Sequence, residues 1–343
     1  MFATLDHYIK KKKTLPFPHR LVFIDHHTSP PADSVHGHPA KPDFFAVALS
    51  KTELKHYKSK KKGVYSGVPN HQVISSGEGK PKAELANEQA IRYTWQRLEA
   101  RPDMPGVYGF FVNAEVYSII WSDPSGPVIS PPIPWTNLRP LECYIHSLYF
   151  PRSDHALWDP SITDPTLKKP SETARPRAPD EKIEAVPHWT IEFDGKIYKD
   201  CYLSHVGSCR GRRTTVFMHD GDDEDDFAVI KDSYPDDRRR FEEIALLNYI
   251  HEDGIFPGFV RVLAAGDVKG CDSKPIVTPR SATDGPGRVD RRGKKRLVMG
   301  SRGSQPSAAK SVKDVLMAIY DGAEGIVQSP FSSCYRLSPT CLF

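Results

Sequence analysis

The stretch from Phe227 to Gly254, FAVIKDSYPDDRRRFEEIALLNYIHEDG, constrains the fold more than any other part of the chain. Its opening apolar run predicts a buried strand that ends in Lys231. After a turn, the apolar periodicity predicts a helix from about Arg238 to His251. Glu243 falls in the middle of the apolar arc of that helix, and burying an unpaired carboxylate costs several kcal/mol. We therefore expect Glu243 to pair with Lys231; the alternative is that it reaches water from the edge of the apolar face.

A glycine-bearing hairpin precedes this strand. The run from Leu203 to Phe217 carries Gly207 and Gly211 at a turn, followed by a β-branched strand. Glycines at such a turn let backbone N–H groups approach phosphate oxygens closely. Two glycines match the three-glycine phosphate-binding loop only loosely, and most hairpin glycines have no such role. Followed by the lysine strand and the glutamate helix, however, they predict a nucleotide-binding site, formed by Gly207, Gly211, Lys231 and Glu243.

The chain resembles the fungal-type protein kinase family, a divergent group of protein-kinase-like proteins. Three phrases carry the likeness and together span roughly residues 41–325: RPDMPGVYGFFVNAEVYSIIWSDPSGPVIS, VIKDSYPDDRRRFEEIALLNYIHEDGIFPGFVRV and RRGKKRLVMGSRGSQPSAAKSVKDVLMAIYDGAEG. The resemblance implies an N-terminal accessory domain followed by a serine/threonine-kinase-like domain. It also implies binding of ATP and Mg²⁺ and a protein substrate or partner that the sequence does not identify.

The resemblance further implies a catalytic loop with His-Arg-Asp, then an Asn and a metal-binding Asp, after the helix that begins near Ser311. Here the last aspartate is Asp321, and residues 326–343 contain no acid. Phosphoryl transfer needs one carboxylate to position the nucleophile and another to hold Mg²⁺. We therefore expect a truncated kinase-like chain that keeps ATP-phosphate-binding elements, lacks the large helical lobe and lacks phosphotransferase activity. No catalytic residue and no metal ligand is assigned to it.

The length and the alternation of strand and helix patterns predict two domains of the α+β class. Residues 1–160 are interpreted as an antiparallel sheet packed on one helix. Residues 161–188, rich in Pro and Lys, predict an interdomain linker. Residues 189–325 predict a kinase-like small lobe, with a twisted antiparallel sheet and one regulatory helix, and the start of a large lobe. Residues 326–343 are interpreted as a divergent tail.

A second pattern lies in the N-terminal region. Pro42-Asp43 precedes the apolar run FFAVAL, and Glu78-Gly79-Lys80 follows 35 residues after Asp43. This spacing is typical of nucleases of the restriction-endonuclease type, in which two carboxylates hold a divalent metal and the lysine steadies the attacking water. Both short patterns are common by chance, and the segment GVPNHQVISSGEGKPK is too polar to indicate a central strand.

Two alternatives to the kinase-like interpretation therefore remain open. The chain can be a binding or regulatory module without catalysis. It can also contain a metal-dependent nuclease that uses Asp43, Glu78 and Lys80, or a relic of such a domain kept as a scaffold.

The amino-acid composition limits which partners and which cellular compartment we expect for this chain. The formal net charge of +4 does not require nucleic acid as a partner, and the basic runs at residues 10–13 and 58–62 are interpreted as solvated loops. The six cysteines show no C-x-x-C pair and no zinc spacing. The sequence shows no signal-peptide pattern and no membrane span, so we expect an intracellular protein of the cytoplasm or nucleus.

Overall fold

Two seven-stranded β-sheets form the framework of the computed structural model of this chain. The fold is α+β, as the sequence predicts. The structure describes residues 20–25, 42–49, 52, 55, 73–80, 86–150, 157–168, 186–209, 211–219, 221, 227–236, 242–252, 254, 259–278, 292–300, 311–313, 315–317 and 319–320. The tail predicted at 326–343 lies outside these residues.

The first sheet is mixed. Its strands, hydrogen-bonded in chain order except that β7 pairs with β5, are β1 (Arg20–Asp25), β2 (Phe44–Leu49), β3 (Val73–Gly79), β4 (Val107–Val112), β5 (Val116–Asp123), β6 (Gly126–Ile129) and β7 (Ile133–Pro134). Neighbours are antiparallel except β3 and β4, which are parallel. A parallel pair needs a crossover connection, and helix α1 (Ala86–Ala100) lies in it. The sequence prediction of a purely antiparallel sheet missed this pair.

Helix α2 (Arg139–Tyr149) also packs on the core of the first sheet, so the prediction of a single helix in this region was incomplete. Its sequence carries the signals of a helix. Pro140 stands in its first turn, where a missing N–H is tolerated. Leu141, Tyr144, Ile145 and Leu148 follow the spacing of one helical face and are all buried.

Strand β3 is central and almost wholly buried, contrary to the expectation that this segment is too polar for such a place. The Ser75 hydroxyl donates to the Tyr108 carbonyl oxygen at 2.6 Å and lies 2.7 Å from the Tyr144 hydroxyl. Gly77 provides room for an aromatic ring, because a Cβ there would lie 1.9 Å from the Phe44 ring. The satisfied Ser75 hydroxyl and a close ring contact thus replace the β-branched side chains usual in a central strand.

The second sheet is antiparallel throughout. Its strands are β8 (Ile162–Lys168), β9 (Val186–Phe193), β10 (Lys196–Val206), β11 (Thr215–His219), β12 (Ala228–Ser233), β13 (Val262–Asp267) and β14 (Lys295–Met299). Their order across the sheet is β13-β14-β12-β11-β10-β9-β8. Helix α3 (Glu243–Ile250) lies between β12 and β13 in the chain. The predicted hairpin turn at Asp194-Gly195 is present, with φ of 51° and 76° at the two residues.

The predicted linker is partly strand. Strand β8 occupies residues 162–168 and pairs with β9, which begins at Val186; residues 169–185 lie outside the described part. The segment was predicted as a linker because it is rich in Pro and Lys and has no apolar periodicity. Pro165 lies between Thr163 and Thr166, where the register of the β8–β9 pair is irregular, so its missing N–H is tolerated.

Arg213 joins the hairpin of the second sheet to helix α1 of the first. Its buried guanidinium donates to the carbonyl oxygens of Leu98 at 2.5 Å, Arg101 at 2.9 Å and Met104 at 2.5 Å. The last carbonyls of a helix lack N–H donors within the helix, and a cation near them is favourable. Cys209, on the same hairpin, belongs to the hydrophobic core of the first sheet.

Four buried charges lie under the second sheet: Asp159, Asp232, Lys294 and Arg296, each at most 2% exposed. Lys294 Nζ lies 2.6 Å from Asp159 Oδ2 and 2.9 Å from Asp232 Oδ2, and Arg296 donates to both Asp232 oxygens at 2.7 and 2.8 Å. Burial alone would raise the pKa of each carboxyl, but the two cations outweigh it and hold the pKa of both below its usual range. We call these residues the buried quartet.

Among the residues that the structure describes, no helix is both long and apolar enough to cross a lipid bilayer.

Candidate functional site

Lys231 and Glu243 are brought together by a central strand and the helix after it. Lys231 lies on β12, opposite Val216 of β11 and Leu297 of β14. Its ammonium contacts both oxygens of Glu243, at 2.5 and 2.8 Å. The Lys231 side chain is 20% exposed and that of Glu243 is 44% exposed. The predicted pair is confirmed, with a more open position for Glu243 than the helical wheel implied.

The local pattern explains this pairing. Along β12, burial alternates, so that Ile230 and Asp232 face one side while Lys231 faces the other. On α3 the buried residues are Leu247 and Ile250, four and seven positions after Glu243, which therefore shares their face. The helix begins at Glu243; the earlier turn predicted from Arg238 falls mostly outside the described residues.

A cavity of about 270 Å³ adjoins the pair. It lies near the lower end of the ~300–1,000 Å³ usual for ligand pockets. Its walls come from the β10–β11 hairpin, β12, the start of α3 and β14. The lining residues are Arg212, Lys231, Ser233, Pro235, Asp236, Glu242, Glu243, Ile244, Lys295 and Leu297.

The cavity carries both signs of charge. Lys295 lies 2.9 Å from an oxygen of Asp267 and 3.2 Å from one of Glu242. The hydrogen bond to Asp267, followed by that to Glu242, raises the pKa of Lys295 above its usual value. Arg212 is exposed, and among the described residues no carboxylate lies within ion-pair distance of its guanidinium. The cavity therefore offers one cation that is not already neutralised.

Gly207 and Gly211 lie in the predicted hairpin, but their backbone groups already have partners. The Gly207 N–H donates to the Thr214 carbonyl oxygen at 2.7 Å, and the Gly211 N–H donates to the Pro124 carbonyl oxygen of the first sheet at 3.1 Å. Neither glycine lines the cavity described above. Gly211 has a φ of +79°, which a residue with a side chain adopts only with strain. A phosphate-binding role for the two glycines stays a prediction.

A second polar group lies in the first sheet. Asp43 precedes β2, and Glu78 and Lys80 lie at the end of the neighbouring strand β3. The Asp43 carboxylate accepts the Gly79 N–H at 2.8 Å, and the Lys80 ammonium pairs with Glu78 Oε1. The structure thus brings together the three residues of the Pro-Asp and Glu-x-Lys pattern, although they are separated by a long stretch of chain.

Glu78 is fully buried, and its Oε2 atom has no hydrogen-bonding partner among the residues that the structure describes. Burial is the largest influence on this carboxyl and raises its pKa above the usual value, while the Lys80 ammonium opposes the shift. Helix α1 contributes Tyr93, whose hydroxyl accepts a hydrogen bond from Gln89 at 2.7 Å. Burial raises the pKa of Tyr93, and the negative charges of Glu78 and Asp43 add to the effect.

Sequence reasoning missed Arg212, Lys295 and Tyr93 as parts of these sites. Lys295 had a signal, because it lies two residues before Leu297 on β14 and so faces the same side of the sheet. Arg212 directly follows Gly211 at the tip of the hairpin, where a cation among glycines is compatible with an anion site. Tyr93 lies one helical turn after Gln89, so the two side chains share one face of α1 and can contact each other.

No family model matches the sequence, and no curated protein or solved structure matches it either. Among the described residues, no group of three or more His, Cys, Asp or Glu is placed to hold a metal ion.

Proposed function

We propose that this chain is a fungal-type protein kinase relative whose second sheet is a kinase-like small lobe that binds the phosphates of ATP. The observation that carries the proposal is the double contact between Lys231 and Glu243 beside a cavity. In protein kinases a lysine on the third strand of the small lobe reaches the nucleotide phosphates and pairs with a glutamate on the next helix. Strand β12 is the third strand from the start of the glycine hairpin, and α3 follows it.

We further propose that these 343 residues bind ATP without transferring its phosphate. The sequence contains no His-Arg-Asp triplet and no acid in residues 326–343. Binding needs the lysine and the cavity, whereas transfer also needs a carboxylate near the nucleophile and another for Mg²⁺. Any Mg²⁺ would therefore be held mainly by the phosphates of the nucleotide.

Isothermal titration with ATP and with adenosine tests the binding proposal. The wild type is expected to bind ATP more tightly than adenosine. Lys231→Ala is expected to weaken ATP binding about 10- to 100-fold, the range of one charge-assisted hydrogen bond, and to leave adenosine binding unchanged. Lys199→Ala is the matched control, because Lys199 is an exposed lysine of the same sheet that does not line the cavity.

Two results would contradict the proposal. Equal affinity of the wild type for ATP and adenosine would mean that no phosphate site exists. Transfer of phosphate from ATP to any protein, abolished by Lys231→Ala, would mean that the chain has a carboxylate base and is an active kinase.

The second candidate function is metal-dependent hydrolysis of nucleic acid by the first sheet, or a relic of that activity. It is supported by the meeting of Asp43, Glu78 and Lys80 at neighbouring strand ends and by the uncompensated Glu78 oxygen. Restriction-endonuclease-type sites use two carboxylates and a lysine in this role. Asp43 stands just before β2, and Glu78 lies near the end of β3, the strand that the crossover helix α1 follows.

The donor set fits a hard divalent cation, because carboxylate oxygens are the ligands that Mg²⁺ and Mn²⁺ prefer. Such a cation, when bound, supplies Lewis-acid stabilisation and a more acidic water. Within the chain, the Gly79 N–H orients Asp43. Lys80 offers an ammonium, 38% exposed, that can hold an attacking water beside Glu78.

Cleavage of supercoiled plasmid DNA in the presence of Mg²⁺ or Mn²⁺ tests this candidate. Nicking that EDTA stops, that Asp43→Asn abolishes and that Glu115→Gln preserves would support hydrolysis, since Glu115 is an exposed acid in the turn between β4 and β5 of the same sheet. Binding of Mn²⁺ by the wild type but not by Asp43→Asn, without cleavage, would support a relic. Cleavage that persists in Asp43→Asn would exclude this site as its source.

A further inference from the structure

We propose that Arg212 is a phosphate-binding residue of the nucleotide cavity and that the first sheet positions it. This inference rests on the proposed nucleotide site and adds a residue that the kinase pattern does not contain. The nucleotide site would then be composite: the second sheet supplies Lys231, and the first sheet fixes the place of Arg212.

The first step concerns the charges in the cavity. Of the three described cations that line it, Lys231 is paired with Glu243, and Lys295 is paired with Glu242 and Asp267. Arg212 has no carboxylate partner among the described residues. A guanidinium binds phosphate oxygens through two parallel hydrogen bonds, which gives it an advantage over a lysine. Arg212 is therefore the cation that a phosphate can bind without first displacing a carboxylate.

The second step concerns the hairpin backbone. The N–H groups of Gly207 and Gly211 are already donated to Thr214 and Pro124. A loop whose N–H groups have partners has fewer of them to offer a phosphate, so a side chain has to provide the contact. Among the described residues of this hairpin, Arg212 is the one that lines the cavity.

The third step concerns how Arg212 is held. On one side, Gly211 donates to Pro124 of the first sheet at 3.1 Å. On the other side, Arg213 is buried against the last carbonyls of α1, including Leu98 at 2.5 Å. The Arg212 carbonyl oxygen itself accepts the Tyr234 N–H at 2.7 Å, just beyond β12. Both neighbours of Arg212 in the chain are thus fixed by the first sheet, while its own side chain is left at the cavity.

The test measures ATP and adenosine affinity for Arg212→Gln and Arg212→Lys by isothermal titration. Arg212→Gln is expected to weaken ATP binding about 10- to 100-fold and to leave adenosine binding unchanged. Arg212→Lys, which keeps the charge, is expected to recover part of the loss. Arg261→Gln is the matched control, because Arg261 is an exposed arginine of the same sheet away from the cavity.

The positioning role of Arg213 is tested by a double-mutant cycle. Arg213→Lys is expected to weaken ATP binding about 3- to 10-fold in the wild type and to have no further effect in the Arg212→Gln background, because it acts through Arg212. Circular dichroism and thermal unfolding of every variant show whether the fold is intact. Additive effects of the two substitutions would overturn the positioning role.

Other outcomes separate this inference from the nucleotide site on which it rests. If the wild type binds ATP through Lys231 and Arg212→Gln has wild-type affinity, the inference is wrong and the nucleotide site stands. Loss of adenosine and ATP binding to the same degree in Arg212→Gln would also overturn it, since a phosphate contact cannot affect adenosine. If the wild type does not bind ATP, both proposals fall together.

Discussion

Asp232 and Glu78 are both buried acids on central strands, but their surroundings differ sharply. Asp232 accepts hydrogen bonds from Arg296 at 2.7 and 2.8 Å and lies 2.9 Å from Lys294, and its pKa is lowered. Glu78 has one cation partner among the described residues, Lys80, and its pKa is raised by burial. An acid surrounded by cations stabilises the fold, whereas an acid with an uncompensated oxygen costs stability and is available to a ligand.

Asp232→Asn should have the largest effect on stability. It leaves Lys294 and Arg296 with one carboxylate between them in a buried place, so the free energy of unfolding should fall by about 3–5 kcal/mol. Urea unfolding at neutral pH measures the change. Asp267→Asn, at a carboxylate whose side chain is 43% exposed, should cost less than about 1 kcal/mol. Similar decreases of the free energy of unfolding in the two variants would show that the buried quartet stabilises the fold no more than an exposed ion pair does.

The dependence of stability on pH distinguishes the two kinds of acid. The lowered pKa values of Asp159 and Asp232 mean that their stabilisation is complete above the unfolded-state pKa of about 3.9 and is lost as the pH falls through the folded-state values. Urea midpoints should therefore drop below about pH 4. This acid-induced drop of the urea midpoint should be smaller in Asp232→Asn than in the wild type. An equal drop in the two proteins would mean that other groups cause the acid unfolding.

Glu78 should behave in the opposite way. Its raised folded-state pKa means that its charged form costs stability above that pKa, and that the cost disappears on protonation. Glu78→Gln removes the charge and should raise the free energy of unfolding at neutral pH by about 1 kcal/mol. Glu115→Gln should change it by less than about 0.5 kcal/mol. A clear decrease of the free energy of unfolding in Glu78→Gln would contradict this prediction. It would mean that Lys80 stabilises the buried charge of Glu78 as fully as Arg296 stabilises that of Asp232.

Glu243→Gln should have the smallest effect on stability. The Lys231 pair is 20% and 44% exposed, and ion pairs of this kind contribute about 0–1 kcal/mol. ATP affinity should nevertheless fall about tenfold, because Lys231 loses the group that orients it. Chemical unfolding and isothermal titration of the same sample give both values. A large loss of stability with unchanged ATP affinity would reverse this interpretation.

The Lys231 site could be predicted because its signals are local. Lys231 lies near the end of β12 and Glu243 at the start of α3, and the positions of Glu243, Leu247 and Ile250 follow the period of a helix. The two residues are only 12 positions apart in the chain. Periodicity and order were therefore sufficient to place both side chains.

The buried quartet could not be predicted in this way. In the sequence, Lys294 and Arg296 lie in the basic run RRGKKR, which is typical of an exposed loop. The strand places Lys294 and Arg296 on the buried side of the sheet, and Lys295 between them on the cavity side. Their partners lie 64 positions away for the Arg296–Asp232 contact and 135 positions away for the Lys294–Asp159 contact. No local pattern reports such distant contacts.

Strand β3 was missed for a related reason. Its run Ser-Ser-Gly-Glu-Gly has little apolar character, and its burial depends on the Tyr108 carbonyl oxygen, the Tyr144 hydroxyl and the Phe44 ring. These partners come from other strands and from α2. The meeting of Asp43 with Glu78 depends in turn on the register of β2 against β3, which the sequence does not give.

The Arg213 contact with helix α1 has a consequence for how the chain folds. The buried guanidinium of Arg213 donates to the carbonyls of Leu98, Arg101 and Met104, and it loses these acceptors if the first sheet opens. Asp159 likewise completes its charge balance only when β14 has formed. The second sheet thus holds a buried cation, Arg213, that groups beside the first sheet satisfy, so the two should unfold in one cooperative transition rather than as separate units. A protease cut between them would then release two destabilised pieces instead of two intact domains.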